Sequence, residues 1–221
     1  MEHVFSELKK YSNLIVDSGL VVGAGGNLSM RKGDYMYISP SGFDLKEIKD
    51  EDWVKVNIHS GEIIGDLKPS SEVLMHLSCY QTRGDIDSIL HAHPTYTIAV
   101  SATDKKIPSL FPDFPAMIKS IDYLDYIIPT TNLLSDAIEK SVKNHDVIVL
   151  RNHGVLTVGQ NMKEAYYYLQ LVEESAKIFS IASTLGKVRI LSEEEEEDLR
   201  NLPSERYRYD LLQKAKNVKE F

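Results

Sequence analysis

The stretch Ile86-Asp87-Ser88-Ile89-Leu90-His91-Ala92-His93-Pro94 decides how this chain is read. Its apolar run has the length and composition of a buried or half-buried strand. Side chains alternate faces along a strand, so positions 91 and 93 point the same way. Two imidazoles on one face, at a strand end and just before a proline, form half of a metal site. Zinc that does chemistry takes three protein ligands and keeps one position open. His-x-His alone is a weak signal, equally at home in a surface turn. The remaining ligands have to come from elsewhere in the chain.

Composition narrows the classes. The 221 residues suffice for one sizeable α/β domain. Hydrophobic residues make up 43% and charged residues 26%, ordinary values for a globular chain. No apolar run approaches the roughly 18 residues of a membrane span. Met1-Glu2-His3-Val4 opens into an amphipathic pattern unlike a signal peptide, so no membrane partner is expected. The single cysteine, Cys79, leaves no internal disulfide and fits a reducing cytoplasm. A net charge of −8 argues against a nucleic-acid surface. It also means that an anionic substrate must be held by local donors.

Outward from the histidines, the chain alternates hairpins and helices. Val4, Leu8, Tyr11 and Ile15 recur at helical spacing, and Gly19 closes that helix. Gly23-Ala24-Gly25-Gly26-Asn27 is a loop. Leu28–Arg31 and Tyr35–Ile38 read as a hairpin around Lys32-Gly33-Asp34. Trp53–Ile58 alternates as a strand, and Ser60-Gly61 turns it toward Ile63-Ile64. Pro69-Ser70-Ser71-Glu72 leads into a helix with a serine cap. A short helix near Tyr96–Ala102 follows the His91 strand. Lys105 to Pro129 carries four of the eight prolines and reads as a long connection. Leu133–Lys143 reads as a helix, and Val147–Leu150 as an apolar strand delivering Asn152-His153-Gly154. Val155–Val158 continues as strand. Asn161 and Glu164 cap a helix that runs to about Leu185. Ser192 and five glutamates start another, followed by a tail with Tyr207-Arg208-Tyr209. Hairpins among helices predict a mixed sheet covered by helices on both sides, as one domain over residues 1–221.

Three sets of residues carry chemistry. His153 ends a buried strand before a glycine, as His91 and His93 end theirs; alone it reads as a capped turn histidine. Among the other histidines only His76, four residues after Glu72 on one helix, competes as a ligand. It is taken as structural or as a support for a ligand. Glu72 stands in the first turn of its helix, where the dipole favours a carboxylate. It reads either as a helix-capping residue or as a base and ligand beside a metal. Gly25-Gly26-Asn27, Ser41-Gly42 and Ser70-Ser71 offer neutral donors able to hold a phosphate, though each alone is a turn or a cap. None is a P-loop, and Gly23-x-Gly25 lacks the third glycine of a dinucleotide fingerprint.

Asn27-Leu28-Ser29, Ser39-Pro40-Ser41-Gly42, Pro69-Ser70-Ser71-Glu72, His91-Ala92-His93 and Asn152-His153-Gly154 occur in that order. Together they resemble the class II aldolase/adducin family, its fuculose-phosphate aldolases most of all. The resemblance implies an α/β fold, a three-layer α/β/α sandwich with a mixed, largely antiparallel central sheet. It implies a homotetramer with sites near subunit interfaces. It implies one Zn2+ per subunit, or another divalent metal, held by His91, His93 and His153, with Glu72 as ligand and base. The phosphate would lie among Gly26, Asn27, Ser41, Gly42, Ser70 and Ser71. The implied reaction cleaves a ketose 1-phosphate, fuculose 1-phosphate-like, through a zinc-stabilised enediolate to dihydroxyacetone phosphate and a small aldehyde.

The chain also departs from those aldolases. They carry a tyrosine after an Ile-Pro segment, where Ile107-Pro108-Ser109-Leu110-Phe111-Pro112 has none. Their C-terminal tyrosine has its better counterparts in Tyr207 or Tyr209, which makes 192–221 a tail near the active site. The same resemblance takes in ribulose-phosphate 4-epimerases, methylthioribulose-1-phosphate dehydratases and sugar-acid phosphate decarboxylases. The epimerases place an aspartate where Glu72 stands. Non-catalytic adducin-like modules lack the metal histidines, which are all present here.

Overall fold

The computed structural model describes residues 1–214. The strands are β1 (Asn27–Lys32), β2 (Tyr35–Ile38), β3 (Val54–Asn57), β4 (Ile63–Ile64), β5 (Ser88–Ala92), β6 (Ile121–Leu124), β7 (Val147–Leu150) and β8 (Gly154–Gly159). The helices are α1 (Glu2–Asp17), α2 (Val73–Thr82), α3 (Thr95–Ser101), α4 (Asp113–Met117), α5 (Asn132–Val142), α6 (Met162–Leu185), α7 (Glu193–Asn201) and α8 (Pro203–Lys214). One sheet of eight strands takes the order β4-β3-β2-β1-β5-β8-β7-β6. Every neighbouring pair is antiparallel except β6 with β7.

Strand alternation sorts the apolar residues into two cores. Leu28, Leu90, Ala92, Val147 and Val149 face α1, α3 and α6. Met36, Ile38, Ile89, Ile148 and Leu156 face α2 and α5. Residues 89 and 90, like 148 and 149, therefore belong to opposite cores, as a period of two requires. The result is the three-layer α/β/α arrangement, with a mixed and largely antiparallel sheet between helical layers. Among the described residues no helix is long and apolar enough to cross a membrane.

Three readings are corrected by the fold. The proline-rich connection holds α4 and the strand β6. All four β6 residues are only half-buried, so no apolar run marks them; parallel pairing with β7, from Ile121↔Val147 to Leu124↔Leu150, makes the strand. Glu72 occupies the N-cap of α2 rather than its first turn. Ser70 Oγ accepts from the Glu72 N–H at 3.3 Å, so the serine caps the turn before the helix. The expected helix after Ser192 is α7, opened by a reciprocal cap between Ser192 and Glu195, but the polar tail beyond it forms a further helix, α8. Residues 215–221 of that tail lie outside the described residues.

The end of α1 shows how local chemistry places the site. Gly19, at φ +67°, takes the left-handed conformation that glycine adopts without a Cβ penalty. Its N–H donates to Val16 C=O at 2.9 Å, and that of Leu20 to Ile15 C=O at 3.0 Å. This is a Schellman stop. The Leu20 carbonyl then accepts from the His93 N–H at 3.1 Å. The helix stop thus pins the backbone just beyond β5.

Candidate metal centre

His91 lies inside β5, the strand between β1 and β8, in register with Asn27 on one side and Leu156 on the other. It shares the face of Ile89 and so points toward the α2 layer. His93 follows one residue after the strand ends. His153 comes from the turn between β7 and β8, where Asn152 adopts φ +58° and reverses the chain. Arg151 ties that turn down by donating to the carbonyls of Ser101 at 3.0 Å and Thr103 at 2.6 Å. Glu72 arrives from the start of α2.

The four side chains converge. One ligating atom from each of Glu72, His91, His93 and His153 lies within 4.8 Å of the others. His91 Nε2 is 3.0 Å from His93 Nε2 and 3.1 Å from Glu72 Oε2, and His153 Nε2 is 3.4 Å from Glu72 Oε1. Metal bonds of 2.0–2.1 Å in a tetrahedron put ligand atoms about 3.3 Å apart, close to these spacings. His91 Nδ1–H donates to Val155 C=O at 3.0 Å. That bond fixes the tautomer and leaves the Nε2 lone pair facing the cluster. Glu72 Oε1 and His153 Nδ1 are buried without a hydrogen-bond partner. A carboxylate oxygen left bare among imidazole nitrogens fits a divalent cation.

The electrostatics agree with that fit. Burial pushes the Glu72 carboxyl up. The neighbouring imidazoles of His91 and His153 and the Asn27 amide outweigh it and hold the group well below the usual carboxylate range. Burial, reinforced by His91 and His153 and opposed by Glu72, pushes His93 down to about 4. Burial and His91, again against Glu72, push His153 down to about 4. Anionic Glu72 with neutral His93 and His153 is a protonation state suited to ligating a metal at neutral pH.

The close approach of the two ligand strands depends on Gly154. A Cβ there would sit 2.3 Å from the Ala92 carbonyl oxygen and 2.9 Å from His93 Cδ2. Only a glycine lets β8 begin this near the end of β5.

The expected phosphate donors are stitched together beside the cluster. Leu28 N–H donates to Ser39 Oγ at 3.3 Å, Ser70 N–H to Ser39 C=O at 2.9 Å, and Ser41 N–H to Lys68 C=O at 3.0 Å. Pro40 and Pro69 pair as a single bridge. The Asn27, Ser41-Gly42 and Ser70-Ser71 segments are therefore neighbours. Gly26 is half-buried and Ser70 is buried, whereas Ser41, Gly42 and Ser71 are exposed. The Asn27 side chain is spent elsewhere: its Nδ2 donates to Glu72 Oε2 at 2.8 Å and its Oδ1 meets His76 Nε2 at 2.6 Å. His76 is not a member of the cluster.

Tyr207 and Tyr209 are not brought to the cluster within the chain. Tyr207 is 63% exposed. Helix α8 packs on α4 and α7, and Asn161, the cap of α6, donates to Leu212 C=O at 3.0 Å. Tyr209 lies within electrostatic reach of Tyr168 on α6. These helices belong to the layer opposite α2.

Residues 6–180 match the family model described as Class II Aldolase and Adducin N-terminal domain. An L-fuculose phosphate aldolase of Methanococcus maripaludis strain C7 is 38% identical over 176 residues, covering 80% of this chain and 96% of the relative. A 5-deoxy-D-ribulose 1-phosphate aldolase of Bacillus thuringiensis serovar kurstaki is 31% identical over 195 residues, covering 87% of this chain and 92% of the relative. A solved structure of an L-fuculose 1-phosphate aldolase superimposes with a TM-score of 0.83 at 35% identity, covering 90% of this chain and 95% of the other. The chain belongs to the class II aldolase and adducin family and is an enzyme of the aldolase kind.

Proposed function

We propose that this enzyme cleaves a ketose 1-phosphate, of the fuculose 1-phosphate type, into dihydroxyacetone phosphate and a small aldehyde. The carrying observation is the convergence of three imidazoles and a buried anionic carboxylate on one point beside a set of neutral donors. The relatives named above are an L-fuculose phosphate aldolase and a 5-deoxy-D-ribulose 1-phosphate aldolase, which supports this substrate class. His91, His93 and His153 would hold one divalent cation, zinc by donor chemistry, with Glu72 as a fourth ligand that substrate would displace. Such an ion supplies Lewis acidity to the substrate's carbonyl oxygen.

The chain's own groups divide the remaining work. In the condensation direction Glu72 takes a proton from C3 of dihydroxyacetone phosphate. The electron pair left on C3 forms a bond to the aldehyde carbon, and the aldehyde oxygen takes a proton from a tail tyrosine, Tyr207 or Tyr209. Cleavage runs the same transfers backwards. Phosphate would be held by Gly26, Ser41, Gly42, Ser70 and Ser71, with Asn27 contributing its backbone only. A tail seated on the layer opposite α2 would serve the site of a neighbouring copy, in keeping with a homotetramer, in the cytoplasm.

The test supplies fuculose 1-phosphate and 5-deoxyribulose 1-phosphate to the metal-loaded protein and measures dihydroxyacetone phosphate. Ribulose 5-phosphate epimerisation runs in parallel. Release of dihydroxyacetone phosphate from either ketose supports the reading; epimerisation without cleavage overturns it.

A further inference from the structure

We propose that His76 is a positioning residue for Glu72, acting through the side-chain amide of Asn27. Five buried side chains interleave between two elements. Glu72, His76 and Tyr80 repeat every fourth residue on one face of α2, and Asn27 and Ser29 share one face of β1. They are joined by four contacts: Tyr80 Oη to Ser29 Oγ at 2.9 Å, Ser29 Oγ to His76 Nδ1 at 2.7 Å, His76 Nε2 to Asn27 Oδ1 at 2.6 Å, and Asn27 Nδ2 to Glu72 Oε2 at 2.8 Å. Exposure is 3% at Tyr80, 0% at Ser29 and His76, 4% at Asn27 and 7% at Glu72.

Donor counting fixes the direction of the three links from Ser29 to Glu72. A carboxylate oxygen accepts only, so Asn27 presents its NH2 to Glu72. The other end of that amide is a carbonyl oxygen, which also accepts only. His76 Nε2 must therefore carry a proton. In a fully buried, neutral imidazole the other nitrogen is then an acceptor, and Ser29 donates its hydroxyl proton to it. Tyr80 Oη lies against Ser29 Oγ, and its single proton is shared between that oxygen and the Ser29 carbonyl at 3.0 Å. Donation runs one way, from Ser29 to Glu72, and each member sets the orientation of the next. Without the His76 Nε2–H, Asn27 Oδ1 loses its buried donor, and the amide is held in place only by the carboxylate it is meant to position. The inference rests on the reading of Glu72 as metal ligand and proton carrier given above, and it adds a residue that touches neither metal nor substrate.

The experiment titrates zinc alone into the metal-stripped protein against a chromophoric chelator and, separately, measures kcat and KM. His76→Leu removes the donor at similar bulk. It is expected to weaken zinc binding about 10- to 100-fold, the range for losing a group that orients a ligand, and to lower kcat while leaving KM within about two-fold. His76→Gln restores an N–H near the Nε2 position and is expected to recover zinc affinity to within about five-fold. Parental affinity in a folded His76→Leu overturns the proposal, as does equal damage in folded Leu and Gln variants. If His76→Leu fails to fold by circular dichroism, Ser29→Ala decides. It frees Nδ1 to take the proton, and it should still weaken zinc binding at least three-fold; no change there also overturns the proposal. The zinc titration is independent of the reaction. A protein that cleaves no ketose phosphate yet shows this affinity pattern would discard the proposed substrate and keep the role of His76.

Discussion

At the scale of single residues, Glu72 carries the largest predicted effect. Its carboxylate is the negative member of the cluster and the proton carrier of the proposed reaction. Glu72→Gln is expected to retain zinc on the three histidines while kcat falls roughly 10²- to 10⁴-fold, the usual worth of a positioned base. Wild-type turnover in a metal-replete Glu72→Gln protein would remove Glu72 from the proton transfer. His76 gives a pH prediction for the metal-free protein. Burial first, and neighbouring His91 second, push it down to about 3, against Glu72. The unfolded chain then binds a proton between about pH 6.5 and 3 that the folded chain refuses, so stability is greatest above pH 6.5 and falls as pH drops. The slope from this one group approaches about 1.4 kcal/mol per pH unit. Denaturant midpoints measured at pH 7.5 and 5.5 should therefore separate more in the parent than in His76→Gln. Equal separation would mean that the imidazole is not kept neutral by the fold.

At the scale of elements, the ligands are held by the meeting of β5 with β8. Gly154→Ala forces a methyl against the Ala92 carbonyl, and the strands must part to admit it. A loss of about 1–3 kcal/mol in stability is expected, with weaker metal binding because His93 and His153 flank the contact. An unchanged melting temperature and unchanged metal content would show that the strand ends have slack. The elements near this site were legible in the sequence because their patterns are local. The apolar run before His91, the strand before His153 and the serines before α2 announce themselves. Three elements farther away, α4, β6 and α8, were not. Strand β6 is half-exposed and owes its existence to β7, and α8 opens on Pro203 in a polar stretch. The histidine ligands and Glu72 were legible as residue types at strand and helix ends. The partnership of His76 with Asn27 was not, since it exists only once β1 pairs with β5 and α2 lies across both.

At the scale of the whole molecule, the layers separate two tasks. The cluster and its donor segments gather where β1, β5 and β8 meet the start of α2, while α4, α6 and α8 occupy the opposite layer. If the tail tyrosines serve a neighbouring copy, Tyr207→Phe or Tyr209→Phe should lower kcat several-fold with the melting temperature unchanged; parental rates in both would take the tail out of the chemistry. Everything else depends on the cluster being a metal centre. The most direct check is the zinc stoichiometry of the purified chain, by elemental analysis after dialysis, in the parent and in His93→Ala. The account predicts one ion per chain in the parent and a marked loss in the variant. A parent that holds no divalent ion, or a His93→Ala protein that holds as much as the parent, would contradict it.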